Sequence, residues 1–244
     1  IPAFYKEMLS TELWKSVAEA KLSLPDETRM DPNLVKALRG TVTQAITGGF
    51  ATSNGTFYVE YQRVLFKWKP GDSEWANTGL IDLAEQSRPT SWRRGFRLAA
   101  SGGTVYVGKR DGTLFQSLDA GDSWKDITPI LPLHFTYFKE IVFAGSTVYI
   151  ATDEGVLASQ NGEHWCVLTT EIGVRPVIDR LTVHHTNVYG AGDAGVYRLD
   201  DHGGWHQISP SVPDNISSLV VSNDRLHIAT QEGRMFHIPL EKLQ

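Results

Sequence analysis

Residues Phe96 to Thr128 read FRLAASGGTVYVGKRDGTLFQSLDAGDSWKDIT, and three β-type runs are legible inside them: Phe96 to Ala100, Thr104 to Lys109 and Thr113 to Ser117. A fourth run begins at Trp124. Gly102-Gly103, Asp111-Gly112 and Asp119-Ala120-Gly121 separate the runs, and short glycine-bearing linkers between β-rich runs form hairpins. The segment therefore predicts one small antiparallel sheet of four strands. Its third linker carries the pattern Ser117-x-Asp119-x-Gly121-x-x-Trp124. The chemistry of that pattern is structural: the Asp accepts hydrogen bonds from amides of a tight turn, the Gly takes a positive φ, and the Trp lies across the hairpin base.

The neighbouring sequence consists of worn copies of this unit. Second strands recur as Phe57-Tyr58-Val59, Val105-Tyr106-Val107, Val148-Tyr149-Ile150, Val188-Tyr189-Gly190 and Leu226-His227-Ile228. Turns follow with glycine at a fixed place, as Asp111-Gly112, Glu154-Gly155, Ala194-Gly195 and Glu232-Gly233. Fourth strands open at Trp75, Trp124, Trp165 and Trp205, spaced 49, 41 and 40 residues apart. Self-similarity at roughly 40 residues marks a propeller or another repeat array. The reading is an all-β propeller of five four-stranded blades within 41–244, near 41–83, 96–128, 138–169, 178–209 and 216–244.

The Ser-x-Asp pattern decays along the series. Ser159-x-Asn161-Gly162-x-x-Trp165 is one residue short, Asp201-x-Gly203-x-Trp205 keeps fragments, and Lys69-Pro70-Gly71-Asp72 before Trp75 is a different turn. The fifth repeat ends in PLEKLQ with no tryptophan. Its open edge calls for a partner strand, for which the N-terminal segment is the expected donor. Residues 1–40 are rich in Lys, Glu, Leu and Ala and predict helix, with Ser10 capping a run from Thr11 to Leu22 and Asp31-Pro32 opening a second that Gly40 ends. A competing reading makes this segment a blade's outer hairpin, because Tyr5 to Trp14 has the same nine-residue offset as Phe115 to Trp124.

At Ser117 to Trp124 the chain resembles the Asp-box (BNR, sortilin-like) β-propellers, a grouping that implies the fold and leaves function open. A wider resemblance rests on PAFYKEMLSTELWK, FYVEYQRVLFKW, TVYVGKRDGTLFQSLDAGDSWKDIT, LPLHFTYFKEIVFAGSTVYIATDEGVLASQNG and AGVYRLD. These phrases are similar to the C-terminal repeats of large bacterial proteins that join a sigma-70-type transcription factor and a membrane span to Asp-box arrays. That resemblance implies a sensory propeller lying outside the cytoplasm, in the periplasm or at the cell surface.

The 244 residues are 41% hydrophobic with a formal charge of -5, which suits one β domain with several buried sheet interfaces. With 23 basic against 28 acidic residues and no basic run longer than Arg93-Arg94, a nucleic-acid partner is disfavoured. Cys166 is the one cysteine, so no internal disulfide forms. No run of 18 apolar residues occurs, and IPAFYKEML lacks the sections of a signal peptide. No membrane contact is expected within this segment. The first residue, Ile1, reads as the start of a piece of a longer chain.

Three chemistries compete with structural roles. A sialidase needs three arginines around a carboxylate, a Tyr–Glu nucleophile pair and an acid Asp; Arg94, Arg97, Arg175 and Arg180, with Tyr137 and Glu140, are the available groups. Asp111, Asp153, Asp193 and Glu232 recur at equivalent turns and could supply facing carboxylates, but Asp or Glu before Gly is ordinary turn chemistry. His184-His185 beside Asp179, with His202 and His206, could suggest a metal; adjacent strand residues point to opposite faces, so no metal and no cofactor is expected. Cys166 reads as a small buried hydrophobe.

Binding is the expected function class, with no catalytic residues. The connections from Ala76 to Gly95 and from Asp126 to Phe138 hold Trp92, Arg93, Arg94, His134, Phe135, Tyr137 and Phe138, residue types enriched in binding hot spots. Phe135 and Phe138 read as packing in the channel or a seam between blades. For Trp92, Arg94 and Tyr137 packing and binding both stand; with Arg175 they are the expected binding anchors. The expected partner is a protein, a small molecule or a carbohydrate on the loop face, and a lectin-type propeller is the alternative.

Overall fold

The computed structural model describes residues 50–240 apart from 62, 83–94, 193 and 211–215. The N-terminal helical segment expected over 1–40, and with it any ring-closing strand, lies outside the described residues, as do Trp92, Arg94 and Asp193.

Five antiparallel meanders follow one another along the chain. The first sheet holds β1 (Phe50–Ser53), β2 (Thr56–Tyr61), β3 (Val64–Trp68) and β4 (Ala76–Ile81), hydrogen-bonded in chain order. The second holds β5 (Arg97–Ser101), β6 (Thr104–Gly108), β7 (Leu114–Ser117) and β8 (Lys125–Asp126). The third holds β9 (Phe138–Ala144), β10 (Thr147–Thr152), β11 (Gly155–Ser159) and β12 (Cys166–Leu168), and the fourth β13 (Arg180–His184), β14 (Asn187–Gly192), β15 (Gly195–Leu199) and β16 (Trp205–Ser209). Among the described residues the fifth has three strands, β17 (Ile216–Ser222), β18 (Arg225–Thr230) and β19 (Met235–Pro239). A short 3-10 turn at Thr128–Ile130 lies in the connection from the second sheet to the third.

First strands of successive sheets pack against one another in series, β1 on β5, β5 on β9, β9 on β13 and β13 on β17. That places the first strand of each meander innermost, the arrangement of propeller blades around an axis. The core is the set of seams between blades. Tyr58, Leu65 and Leu80 of the first blade meet Leu98, Val105 and Val107 of the second. Tyr106 and Leu114 of the second meet Ile141, Ile150 and Leu157 of the third. Val156 and Leu168 then meet Leu181, Val188 and Trp205, and Tyr189 and Val196 meet Leu219, Leu226 and Ile228. Each fully buried aliphatic side chain contributes about 1.5–3 kcal/mol, so the seams are the main source of stability. A middle strand buries both faces, which is why TVYVG and GVLAS read as nearly unbroken apolar or small-residue runs rather than as alternation.

The expected registers hold, with one adjustment. Trp75, Trp124 and Trp165 stand one residue before β4, β8 and β12, and only Trp205 opens its strand. Phe138 is buried, and Phe135 packs edge-on against it at 4.8 Å between ring centroids, in the seam between the second and third blades.

Candidate functional site

Two faces of the propeller must be told apart first. A four-stranded meander places its first-to-second and third-to-fourth turns at one end. The second-to-third turn and the connection to the next blade lie at the other end.

The Asp119 turn belongs to the first of these faces, where Ala120 N donates to Gly103 O of the β5–β6 turn at 2.8 Å. Asp119 Oδ1 accepts hydrogen bonds from Ser123 N at 2.8 Å, Asp122 N at 3.1 Å and Ser117 Oγ at 2.7 Å, and Oδ2 accepts from Ser123 Oγ at 2.5 Å. The Ser123 hydroxyl and amide, followed by Ser117, hold this carboxyl well below the usual carboxylate range. Gly121 donates to Ser117 Oγ at 2.7 Å with φ of 82°, and Trp124 Nε1 donates to Thr78 O on the preceding blade at 3.1 Å.

The Asn161 turn repeats the device. Asn161 Oδ1 accepts from Glu163 N and His164 N, each at 3.0 Å, while Gly162 donates to Ser159 Oγ at 2.8 Å. A methyl group on Gly162 would lie 2.1 Å from Gln116 Nε2 and 2.4 Å from Tyr106 Oη, so the turn is seated directly on the second blade. Trp165 Nε1 turns inward to Gly162 O at 3.0 Å. In the fourth blade the acceptor is Asp200, not Asp201: its Oδ1 accepts from His202 N and Gly204 N at 2.8 Å each. These turns are architecture on the rim.

On the opposite face two blade-to-blade connections converge on one turn. Asp153 Oδ1, in the β10–β11 turn, accepts from Thr136 N at 2.9 Å and Tyr137 N at 3.1 Å, and Asp153 N donates back to Tyr137 O at 3.3 Å. A Cβ at the adjoining Gly155 would stand 3.6 Å from Arg175 Cβ and 3.9 Å from Leu133 Cδ2. Tyr137 and Arg175 therefore flank the same turn from successive connections, Tyr137 half-buried and Arg175 exposed. The second connection is braced by Thr170 N to Val174 O at 2.8 Å and Gly173 N to Thr170 O at 2.9 Å. At its tip Ile172 is 86% exposed, beside Val174 at 53%.

The recurring turn carboxylates are used locally. Asp111 Oδ1 accepts from Thr113 N at 3.0 Å and Thr113 Oγ at 2.5 Å, Asp153 holds the connection described above, and Glu232 pairs with Arg234.

A charged row missed by the sequence reading runs around the connection-side ends of the innermost strands. Arg97, Glu140 and Arg180 occupy equivalent positions on β5, β9 and β13, each paired across the ladder with a small residue, Gly108, Ala151 or Ala191. Arg180 Nε lies 3.9 Å from Glu140 Oε2 and donates instead to Ser217 O at 3.1 Å, while its Nη1 donates to Asp179 O at 2.8 Å. Burial pushes the Glu140 carboxyl above its ordinary range despite the attraction of Arg180 and Arg97. Burial lowers the Arg97 guanidinium, with Glu140 and Glu60 opposing that shift and Arg180 adding to it. Glu60 Oε2 accepts from Phe96 N of the next blade at 2.5 Å. Of the groups named for a sialidase, Arg97, Arg180 and Glu140 are thus brought together, and Arg175 and Tyr137 flank a different feature.

Two expectations are corrected. Cys166 is exposed, because it opens β12, the outer-edge strand of its sheet, where no further strand covers it. The rings of His184 and His185 lie 4.2 Å apart, because His185 is a turn residue with φ of 57° and strand alternation no longer applies to it. Asp179 pairs with Lys139, and His202 and His206 are exposed. Among the described residues no three His, Cys, Asp or Glu side chains are grouped to hold a metal ion.

No family model and no curated protein matches the chain. Solved structures do. YCF48 bound to D1 peptide matches at 14% identity and a TM-score of 0.54, over 78% of this chain and 63% of that one. The extracellular domain of BT4673 from B. thetaiotaomicron matches at 13% and 0.55, over 78% and 26%. The GH74 xyloglucanase from Xanthomonas campestris matches at 19% and 0.52, over 78% and 29%. This chain spans less than two thirds of the length of each. At such identities the likeness concerns the fold alone, and the fold is the β-propeller.

Proposed function

We propose that this chain is a non-catalytic recognition module of the Asp-box class, the sensory propeller of a larger bacterial regulatory protein of the sigma-linked kind, acting outside the cytoplasm. Its recognition surface is the connection face, with Tyr137 and Arg175 as anchors and Trp92 and Arg94 added from the preceding connection. The observation that carries the reading is the convergence of two connections on the β10–β11 turn, where Asp153 fixes the backbone at Thr136 and Tyr137. An ordered backbone, an exposed guanidinium and the braced, exposed Ile172 give a partner directional and apolar contact together. A peptide-bound propeller and an extracellular domain among the similar structures agree with this reading. The turn carboxylates at Asp111 and Asp153 are occupied as acceptors, which favours binding over acid–base work.

Binders selected from a random peptide display library against the 244-residue protein test the proposal. Tyr137→Ala and Arg175→Ala should each weaken a selected binder by more than about 1 kcal/mol, and Asp119→Ala should leave affinity unchanged. Binders indifferent to both face substitutions, or turnover of fluorogenic sialosides or glycosides, would contradict it.

A further inference from the structure

The chain contains two Asn-Gly steps, Asn54-Gly55 and Asn161-Gly162, and the fold treats them oppositely. Asn161 is tied down: its Oδ1 accepts from Glu163 N and His164 N, and the Gly162 amide donates to Ser159 Oγ at 2.8 Å. Gly162 is also buried against the second blade. Asn54 and Gly55 instead form the two-residue turn from β1 to β2, closed by the pair Ser53 and Thr56, with φ of 49° and 72°. Both residues are exposed, and a Cβ on Gly55 would meet no atom within 4 Å. Among the described residues the Asn54 side chain has no hydrogen-bond partner, and no acceptor engages the Gly55 amide. Asn223-Asp224 makes the same kind of turn between β17 and β18, with φ of 50° and 54°, but there a side chain follows the asparagine and crowds the next amide.

We infer that Asn54 is a site of self-catalysed covalent modification, at which the chain converts asparagine to aspartate and isoaspartate with water as the co-reactant. The Gly55 amide nitrogen attacks Asn54 Cγ. The N–Cγ bond forms, the Cγ–Nδ2 bond breaks, and Nδ2 leaves as ammonia with the proton given up by the Gly55 amide. Water then opens the resulting succinimide. Attack at Cγ gives aspartate, and attack at the main-chain carbonyl gives isoaspartate, so the balance is one water in and one ammonia out with no change of oxidation state. Glycine is the residue that favours this, because it leaves the attacking nitrogen unscreened. Either product adds a negative charge to the turn. Isoaspartate also routes the backbone through the former side-chain methylene, which lengthens a turn whose closure by Ser53 and Thr56 requires two residues. Ser53 Oγ donates to Gly102 O of the second blade at 3.0 Å, so the change reaches a contact between blades on the Asp119 side. The modification is therefore separate from recognition on the connection face.

Peptide mapping by mass spectrometry tests this on the wild-type 244-residue protein, held for days at mildly alkaline pH, with a sample in denaturant run in parallel. In the folded protein the Asn54 peptide should gain the mass of an NH2-to-OH exchange and split into aspartyl and isoaspartyl forms. It should do so about tenfold or more faster than the Asn161 and Asn223 peptides, the ratio given by a barrier difference of about 1.4 kcal/mol. In denaturant the protection of Asn161 should vanish, so that Asn54 and Asn161 react alike and both outpace Asn223. An Asn54 that stays intact in the folded protein would overturn the inference, whether or not it reacts in denaturant. Equal rates at Asn54 and Asn161 in the folded protein would overturn it as well, since the contrast between the two turns would then have no chemical effect.

Discussion

Asp119 shows what one side chain contributes. Its carboxylate accepts four hydrogen bonds that the protonated form would partly forfeit, so its folded pKa is depressed below the unfolded value of about 3.9. A depressed folded pKa gives stability that is present above about pH 4 and is lost as pH falls through the acid range toward the folded value. The melting temperature of wild type should therefore fall more steeply between about pH 4 and pH 2 than that of Asp119→Asn, which starts lower at neutral pH; parallel curves would refute the assignment. Gly162 is the steric counterpart: Gly162→Ala forces a methyl into Gln116 and Tyr106 at a φ of 74° and should cost about 1–3 kcal/mol or more in chemical denaturation. At this scale the sequence was readable where a residue's role is local. Asp119, Gly121 and Trp124 could be assigned because the whole turn lies within eight residues of chain. Asp200 was missed in favour of Asp201 because two adjacent aspartates are equivalent until the backbone selects one. Cys166 was misjudged because burial on an outermost strand depends on what covers it, which the local run does not encode.

Elements were legible where turn chemistry and apolar runs agree. The second strands of the later blades, with buried valine or leucine and a glycine-bearing turn after each, were placed to within a residue or two. The outer strands were not: β8 has two residues, both exposed, and leaves almost no apolar trace beyond Trp124. The connections are the elements that carry the proposed function, and their order depends on Asp153. Asp153→Ala leaves the Thr136 and Tyr137 amides without their acceptor, so their hydrogen exchange should accelerate at least tenfold while amides of β10 and β11 keep their protection. Unchanged exchange at both amides would mean that the connection is held by something other than this carboxylate.

The ring as a whole was readable as a repeat and unreadable as a charge pattern. Five matched registers predict blades because each blade buries its faces against its neighbours, and the four seams observed between them carry that out. The alternation of Arg97, Glu140 and Arg180 could not be seen in the chain, since the residues lie about 40 apart and meet only once the innermost strands stand side by side. The same separation explains why Tyr137 and Arg175 could be named as surface candidates without their shared turn being visible. The central claim is that recognition occurs on the connection face, and a hydrogen–deuterium exchange footprint of a library-selected peptide on the 244-residue protein tests it most directly. Protection concentrated in 128–137, 152–155 and 169–179 is the predicted result, and protection concentrated in the opposite turns, 117–124 and 159–165, would contradict the account.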